Sequence, residues 1–439
     1  MAIADIPEYA HLTDADVEEL ARELDQIRAD IEADRGERDA RYIRNTIRFQ
    51  RGLDLAGRVM LVGGRKRSLW WAGATTLGVA KIVENMELGH NVMHGQWDWM
   101  NDPEIHSTTW EWDNTGPSSH WKHTHNYIHH KYTNVLGMDD DVGYGTLRVT
   151  RDQKWHPYYL GNLVYNTLLA LLFEFGVAIQ HLELFRKRKT PEAKAEFQAN
   201  LREVGRKVGK QVGKDYALYP AITAAVTRSP RAAVKTATGN LLANVIRNLW
   251  TNAVIFCGHF PDGAEKFTKQ DMENESQGQW YLRQMLGSAN FHAGPVMGFM
   301  SGNLSYQIEH HLFPDLPSNR LPEIATRVQA LAEKYDLPYT TGSLPVQYLK
   351  AWRTIAKLSL PDRFLLATAD DAPETASERR FKAAESAQRL VATVDPVTGR
   401  RRGLRTAIVE LRRRRRGRKA ALQLSAVASG DGSGESNAA

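Results

Sequence analysis

The chain of 439 residues has one cysteine, Cys257. A single thiol cannot close an intramolecular disulfide, and a cysteine-bound zinc or an iron–sulfur cluster needs several thiolates. Any metal must therefore rest on nitrogen or oxygen ligands. The sequence also lacks a glycine-rich dinucleotide loop of the Rossmann kind and a haem-binding cytochrome b5 motif, so it carries no electron carrier of its own. It shows no strong alternating strand pattern and no internal repeat, which points to an all-α chain. No stretch is a clean run of about 20 uncharged residues, the length a helix needs to cross a ~30 Å hydrocarbon layer. The opening MAIADIPEYAHLTDADVEEL has no basic region followed by an apolar one, so no signal peptide is expected there. No recognition fold accompanies the arginines, which argues against nucleic-acid binding.

A net charge of +6, a pI near 9.2 and a mean hydropathy of −0.46 are averages over unlike segments. From Thr13 to Asp39, Val17, Leu20, Leu24, Ile27 and Ile31 repeat at a helical period, with Thr13 and Asp14 as caps, giving an amphipathic helix outside the membrane. The next stretch, RYIRNTIRFQRGLDLAGRVMLVGG, mixes arginine with bulky apolar residues and suits a membrane interface. Four apolar stretches follow: Ser68–Leu88, Tyr158–Phe185, Tyr216–Thr227 and Leu241–Phe260. Between Phe185 and Tyr216 lie ten Lys and Arg, including Arg186, Lys187, Arg188 and Lys189, and the positive-inside rule makes that linker cytoplasmic. Tyr158–Phe185 is then interfacial or re-entrant, and the two later stretches form a crossing hairpin turned at Ser229-Pro230 that returns the chain to the cytoplasm near His259. Both termini are expected on that side. The chain ends in an arginine-rich arm, RRGLRTAIVELRRRRRGRKAALQ, and a polar tail, read as a helical arm and a disordered end. The arm is either a solvated charge run or a site of attraction to anionic lipid headgroups. Three regions result: N-terminal helices over 1–67, a main domain over 68–350, and the arm and tail over 351–439.

Of 15 histidines, eight (His90, His94, His106, His120, His123, His125, His129 and His130) fall within 41 positions. GHNVMH sets His90 and His94 four apart, so that on a helix both rings reach one small volume. HNYIHH gives His125 and His129 the same relation, with His130 about 100° further round. NLSYQIEHHLFP supplies His310 and His311, with Gln307 one turn earlier. A structural zinc closes its shell with four ligands. Seven clustered histidines, with His259 and Gln307, are too many for one such site and enough for two metal ions.

The segments GHNVMHGQW, THNYIHHKYTN and QIEHHLFP resemble the three histidine boxes of the membrane-bound fatty acid desaturases, over roughly Ser68 to Pro317. The run ENMELGHNVMHGQWDWMNDPEIHSTTWEWD and the following GMDDDVGYG are similar to actinobacterial acyl-CoA desaturases, a group like the stearoyl-CoA desaturases that act at the ninth carbon. The resemblance implies an all-α integral membrane fold whose cytoplasmic helical cap carries a histidine-ligated di-iron site. It implies as ligands His90 and His94, then His125, His129 and His130, then His310 and His311, with His259 in FCGHF as the ligand from the last membrane helix. Gln307 stands where many members have histidine, and the second box has three residues rather than two between its first histidine and its pair. Gln307, His123 and His120 remain as further ligand or supporting candidates.

Removing hydrogen from an unactivated methylene needs an oxidant that no side chain provides, so two iron ions and O2 must supply the chemistry. The substrate is expected to be a saturated acyl-CoA, with an acyl-lipid desaturase or lipid hydroxylase of the same superfamily, and a metal-binding protein without turnover, as the competing readings. An apolar tunnel must position the acyl chain. Trp97, Trp99, Trp110 and Trp112, together with Trp121, are candidates for its walls, or else interfacial anchors. Glu84, Glu87, Glu309 and Asp139–Asp141 are candidates to orient ligand histidines, though the aspartates also suit a solvated turn. The basic linker suits the phosphates of coenzyme A, an acidic electron carrier or a membrane-facing surface. Electrons must come from a separate ferredoxin or flavin-containing NAD(P)H oxidoreductase.

Overall fold

The computed structural model describes residues 9–64, 66–184 and 188–361, with 412, 413 and 415–417 of the C-terminal arm. The polar tail and most of the arm lie outside the described residues. Helix α1 (Asp14–Ala33) starts at the expected place: Thr13 and Asp16 cap each other's backbone, and Leu20, Leu24, Ile27 and Ile31 form its buried stripe. Helices α2 (Glu37–Val62) and α3 (Arg67–Val83) form a hairpin. The segment expected at a membrane interface is thus the first arm of that hairpin. Its close approach to α3 depends on Gly57, where an added Cβ would stand 2.8 Å from the Leu77 backbone nitrogen, so only glycine fits.

The helical stretch Pro157–Leu171, a 3₁₀ turn followed by α4 (Asn162–Leu171), meets α5 (Phe173–Gln180) at an angle of 101°. Together they are long and apolar enough to pass as a broken or re-entrant span, in line with the reading of Tyr158–Phe185. Among the described residues no single helix is long and apolar enough to cross a membrane. Helix α6 (Pro191–Gly213) runs through a π-helical turn, Lys214–Leu218, into α7 (Tyr219–Thr227). The chain reverses at Arg228 (φ 52°) and Ser229 into the 30-residue α8 (Pro230–His259), a turn where the sequence placed it.

Helices α2, α3, α7 and α8 make one bundle, in which Leu61, Ala74, Leu77 and Ala243 form a small apolar core. Nearer the site the interior becomes ionic. Lys81 lies 2.9 Å from Asp215 and 3.5 Å from Asp113, and Arg247 lies 2.6 Å from Glu174. These buried charges are paired, as buried charges must be. Above the bundle sits a cap of α1, α9 (Gln277–Gly287), α10 (Gln307–Leu312) and α11 (Leu321–Lys334), whose apolar core joins Leu24, Leu282, Ile308, Phe313 and Val328. A short parallel pair, β1 (Asn290–His292) and β2 (Thr341–Ser343), ties the cap to helix α12 (Leu344–Leu358).

Candidate metal centre

Four pieces of backbone deliver the histidines to one place between bundle and cap. The helix α3 continues as a π-helix, Glu84–His90, then one α-turn, which carries His90 and His94 with rings 4.6 Å apart. A second π-helix, Lys122–His129, carries His125 and His129, and His130 follows it directly. The C-terminus of α8 brings His259, and α10 brings His310 and His311. All eight are buried. Ligand atoms of His90, His94, His125 and His310 lie within 4.8 Å of one another, and so do those of His129, His259 and His311. His130 stands between the two groups, its ring 4.6 Å from His94 and 4.5 Å from His311.

The nitrogens divide into tied and bare. His90 Nδ1 pairs with Asn91 Oδ1 at 2.8 Å, His125 Nδ1 with Asp141 at 3.2 Å, and His129 Nδ1 with both oxygens of Asp139 at 3.0 and 3.1 Å. His311 Nδ1 pairs with Gln284 Oε1 and Thr133 Oγ1, each at 3.2 Å. The Nε2 atoms of His94, His125, His129 and His311, both ring nitrogens of His130 and His310, and Nδ1 of His259 are buried without a partner among protein atoms. Buried polar atoms are rarely orphaned, and a histidine fixed through one nitrogen to present the other is how imidazole meets a metal. The donor set fits two metal ions held on nitrogen.

Electrostatics agree with ligation, which needs neutral rings. Burial pushes His90 down to about 4, and burial together with neighbouring histidines holds His94, His125, His130, His310 and His311 well below the usual range. His129 is the exception. Burial opposes its charge, but Asp139 and Asp141 overcome that and lift it to about 9. Asp139 is itself held by the backbone N–H groups of Asn134 and Asp141, at 2.7 and 2.9 Å.

Several sequence expectations change here. Asp139 and Asp141 pair with His129 and His125 rather than forming a solvated turn, because the chain folds that turn back over the second box. Glu87 instead accepts from Tyr42 and Ser318, and Glu309 from Asn290 and Tyr339, so both tie elements together. His130 joins the cluster as expected, its ring 5.0 Å from His125 and 5.4 Å from His129. His120 pairs with Glu203 and stacks on His181, and exposed His123 stacks on Tyr127, so neither joins the cluster. Gln307 Nε2 lies 3.1 Å from His259 Nε2, with Oε1 unpartnered, and packs on Gly258. Asn91, Gln284 and Thr133 were missed. Asn91 directly follows a box histidine, which is a usable signal, whereas Gln284 lies far from every box.

A cavity reaches the cluster. His90, His125 and His259 form one side, Trp112, Trp121, Tyr144, Phe173, Val177 and Ile255 give apolar walls, and Asn85, Asn114 and Thr251 also line it. It shares Tyr144 and Gln180 with a second, more open and more apolar space, bounded by Thr146, Leu169, Ile179 and Leu184. Trp97, by contrast, is fully buried with Ile43, Ile47 and Leu88, and Trp99 and Trp110 pack against that group.

The fatty acid desaturase family model matches residues 68–343, well over half of the chain. The chain belongs to the fatty acid desaturase family. As a desaturase it is an oxidoreductase, and seven of the eight clustered histidines lie in the three segments GHNVMHGQW, THNYIHHKYTN and QIEHHLFP. It is 64% identical over 421 residues to the NADPH-dependent stearoyl-CoA 9-desaturases of two Mycobacterium tuberculosis strains, CDC 1551 / Oshkosh and H37Rv, covering 96% of this chain and 97% of each relative. A more distant desaturase, the sn-1 linoleoyl-lipid 6-desaturase of Synechocystis sp. PCC 6803, is 22% identical over 282 residues, 61% of this chain and 74% of that one.

Proposed function

We propose that this desaturase introduces a cis double bond at the ninth carbon of a long saturated acyl-CoA, using O2 and electrons that originate from NADPH and arrive through a separate carrier. The observation that carries this reading is the pairing of the bare, buried imidazole nitrogens with an apolar cavity that ends against them. His90, His94, His125 and His310 would hold one iron and His129, His259 and His311 the other, with His130 between them. The irons, when bound, supply the oxidising chemistry with O2 that side chains lack.

The chain's own residues do the rest. Trp112, Trp121, Tyr144 and Phe173 enclose the acyl chain and keep water from the reacting carbons. Asn114 donates to Asn85 at 2.7 Å and Asn85 to Thr251 at 3.4 Å, a hydrogen-bonded floor that stops the methyl end. Selectivity among equivalent methylenes follows from where that end stops. The open space beside Leu184 serves as the entrance, and the basic segment that follows it, which includes Arg188, suits the phosphates of coenzyme A.

The bundle would sit in the membrane, with the histidine centre on the cytoplasmic side. Leu55, Val59, Trp71, Ile222, Val226, Val234 and Leu241 are all exposed on the bundle helices, and clustered exposed apolar residues mark contact with a membrane or a partner. The test is expression of the chain beside an empty vector and a His129→Ala/His130→Ala variant, with fatty-acid profiles by mass spectrometry. A new double bond at the ninth carbon, lost in the variant, supports the reading. A hydroxylated product, or a double bond elsewhere or made only on glycerolipid chains, overturns it.

A further inference from the structure

The free end of the bundle has a chemistry that desaturation does not use. The two hairpin turns lie side by side there: Trp70 Nε1 donates to the Lys235 carbonyl at 2.8 Å, Lys235 Nζ to the Gly64 carbonyl at 3.4 Å, and Gly239 packs on Leu61 and Trp70. Lys66, Arg67, Arg228 and Arg231 are exposed on these turns. No acidic residue occurs from 55 to 83 or from 216 to 261, so the hairpins offer these cations no carboxylate.

Depth makes the arrangement informative. Lys235 belongs to the tip itself, and below it come the Arg58–Asp54 pair of α2 and then the buried set Lys81, Asp215 and Arg247. Lys66 and Lys81 are separated by 15 residues, Arg228 and Asp215 by 13, and Arg231 and Arg247 by 16. At helical rise that is roughly 20–24 Å, short of the ~30 Å hydrocarbon layer. Exposed Leu69, Trp71, Val226 and Val234 fill the interval next to the turns. A short apolar belt ending in long cationic side chains matches a bilayer only where those side chains reach outward and the far leaflet thins to meet them.

We infer that this basic tip binds the phosphate groups of anionic lipids in the leaflet opposite the histidine centre. The inference rests on the membrane placement proposed above. Full-length protein would be reconstituted in phosphatidylcholine vesicles with and without phosphatidylglycerol, beside a K66Q/R67Q/R228Q/R231Q variant and an R67K/R228K/R231K variant. Iron content checks that each is folded. The readouts are the thermal midpoint and the phosphatidylglycerol retained on extraction, measured by mass spectrometry.

The wild type and the lysine variant should gain stability from phosphatidylglycerol and retain it. The glutamine variant should lose the gain, with retention falling roughly 5-fold for each charge removed. Inorganic phosphate added to phosphatidylcholine vesicles should not substitute for the lipid. An equal gain in the glutamine variant, or full replacement by inorganic phosphate, overturns the inference and leaves the membrane placement standing. Failure of every form to enter either vesicle overturns the placement and the inference together.

Discussion

Replacing Asp139 by asparagine removes a charge and preserves shape at the support of one imidazole. Asp139 is buried and accepts from His129 Nδ1 through both oxygens while the Asn134 and Asp141 amides fix it from behind. The lift of His129 from 6.5 to about 9 corresponds to roughly 3 kcal/mol of preference for imidazolium. A metal ligand is neutral and feels mainly the hydrogen bond that keeps the proton on Nδ1 and the lone pair on Nε2. Loss of such a support typically costs 10–100-fold in metal affinity, about 1.4–2.7 kcal/mol. Asparagine can also turn its amide toward Nδ1 and select the wrong tautomer. Asp139→Asn should therefore bind iron 10–100-fold more weakly at the site of His129, His259 and His311, with the His90 group little changed. The assay is iron titration of the reconstituted protein followed by spectroscopy and metal analysis. Two equivalents bound with wild-type affinity would refute the claim that Asp139 positions this ligand.

Three further outcomes follow from other parts of the molecule. Asn114→Ala removes the donor to Asn85 from the cavity floor and should shift the product profile toward longer acyl chains by up to ~10-fold, read by mass spectrometry; an unchanged profile would place the stop elsewhere. Gly57→Val must push α2 from α3, since even a Cβ meets the Leu77 backbone, and should lower stability by about 1–3 kcal/mol. Gly52→Ala has nothing within 4 Å of the new Cβ and should be neutral or mildly stabilising; similar thermal midpoints for the two variants would contradict the packing. Stripped of metal, the protein should lose stability as pH falls. His90 is held near 4 when folded against 6.5 unfolded, so its contribution is complete above 6.5 and declines below it, by about 2 kcal/mol at pH 5. The other depressed histidines act in the same direction, whereas His129, raised to about 9, contributes most at acid pH and offsets part of the loss. Denaturant midpoints independent of pH over this window would show that the cluster is hydrated.

The histidine boxes were legible because ligand residues cannot be exchanged for residues of similar size, and three such groups in one chain have no structural substitute. The first helix was legible for a different reason: its apolar stripe and capping pair are local in sequence, and Thr13 and Asp16 are three residues apart. The hairpin turn at 228–230 could be read from Ser-Pro. What stayed hidden was non-local. Nothing in TIRFQRGLDLAGRV says that Gly57 will pack on α3 while Leu55 and Val59 stay exposed, because an amphipathic stripe specifies burial and leaves the partner open. Likewise the tryptophans near the boxes divide between the cavity wall, where Trp112 and Trp121 stand, and the α2 contact, where Trp97 stands. Only the path of the loop between residues 95 and 117 decides this.

The second box departs from the period that its sequence suggests. A step of about 100° per residue assumes i→i+4 bonding, as in α10, whose adjacent His310 and His311 both reach the cluster. The second box instead runs as a π-helix from Lys122 to His129, and a π-helix also leads into His90 from Glu84. The i→i+5 pattern widens the turn and is unfavourable by itself, which is why it appears mostly as short bulges at functional sites. Here both bulges end on a cluster histidine, and the tied nitrogens of His125, His129 and His90 hold the rings in the orientation that the bulge produces. The helix geometry and the hydrogen bonds behind the rings therefore act as one device. The π-helical turns set where the rings stand, and Asn91, Asp141 and Asp139 fix the orientation of His90, His125 and His129 through Nδ1.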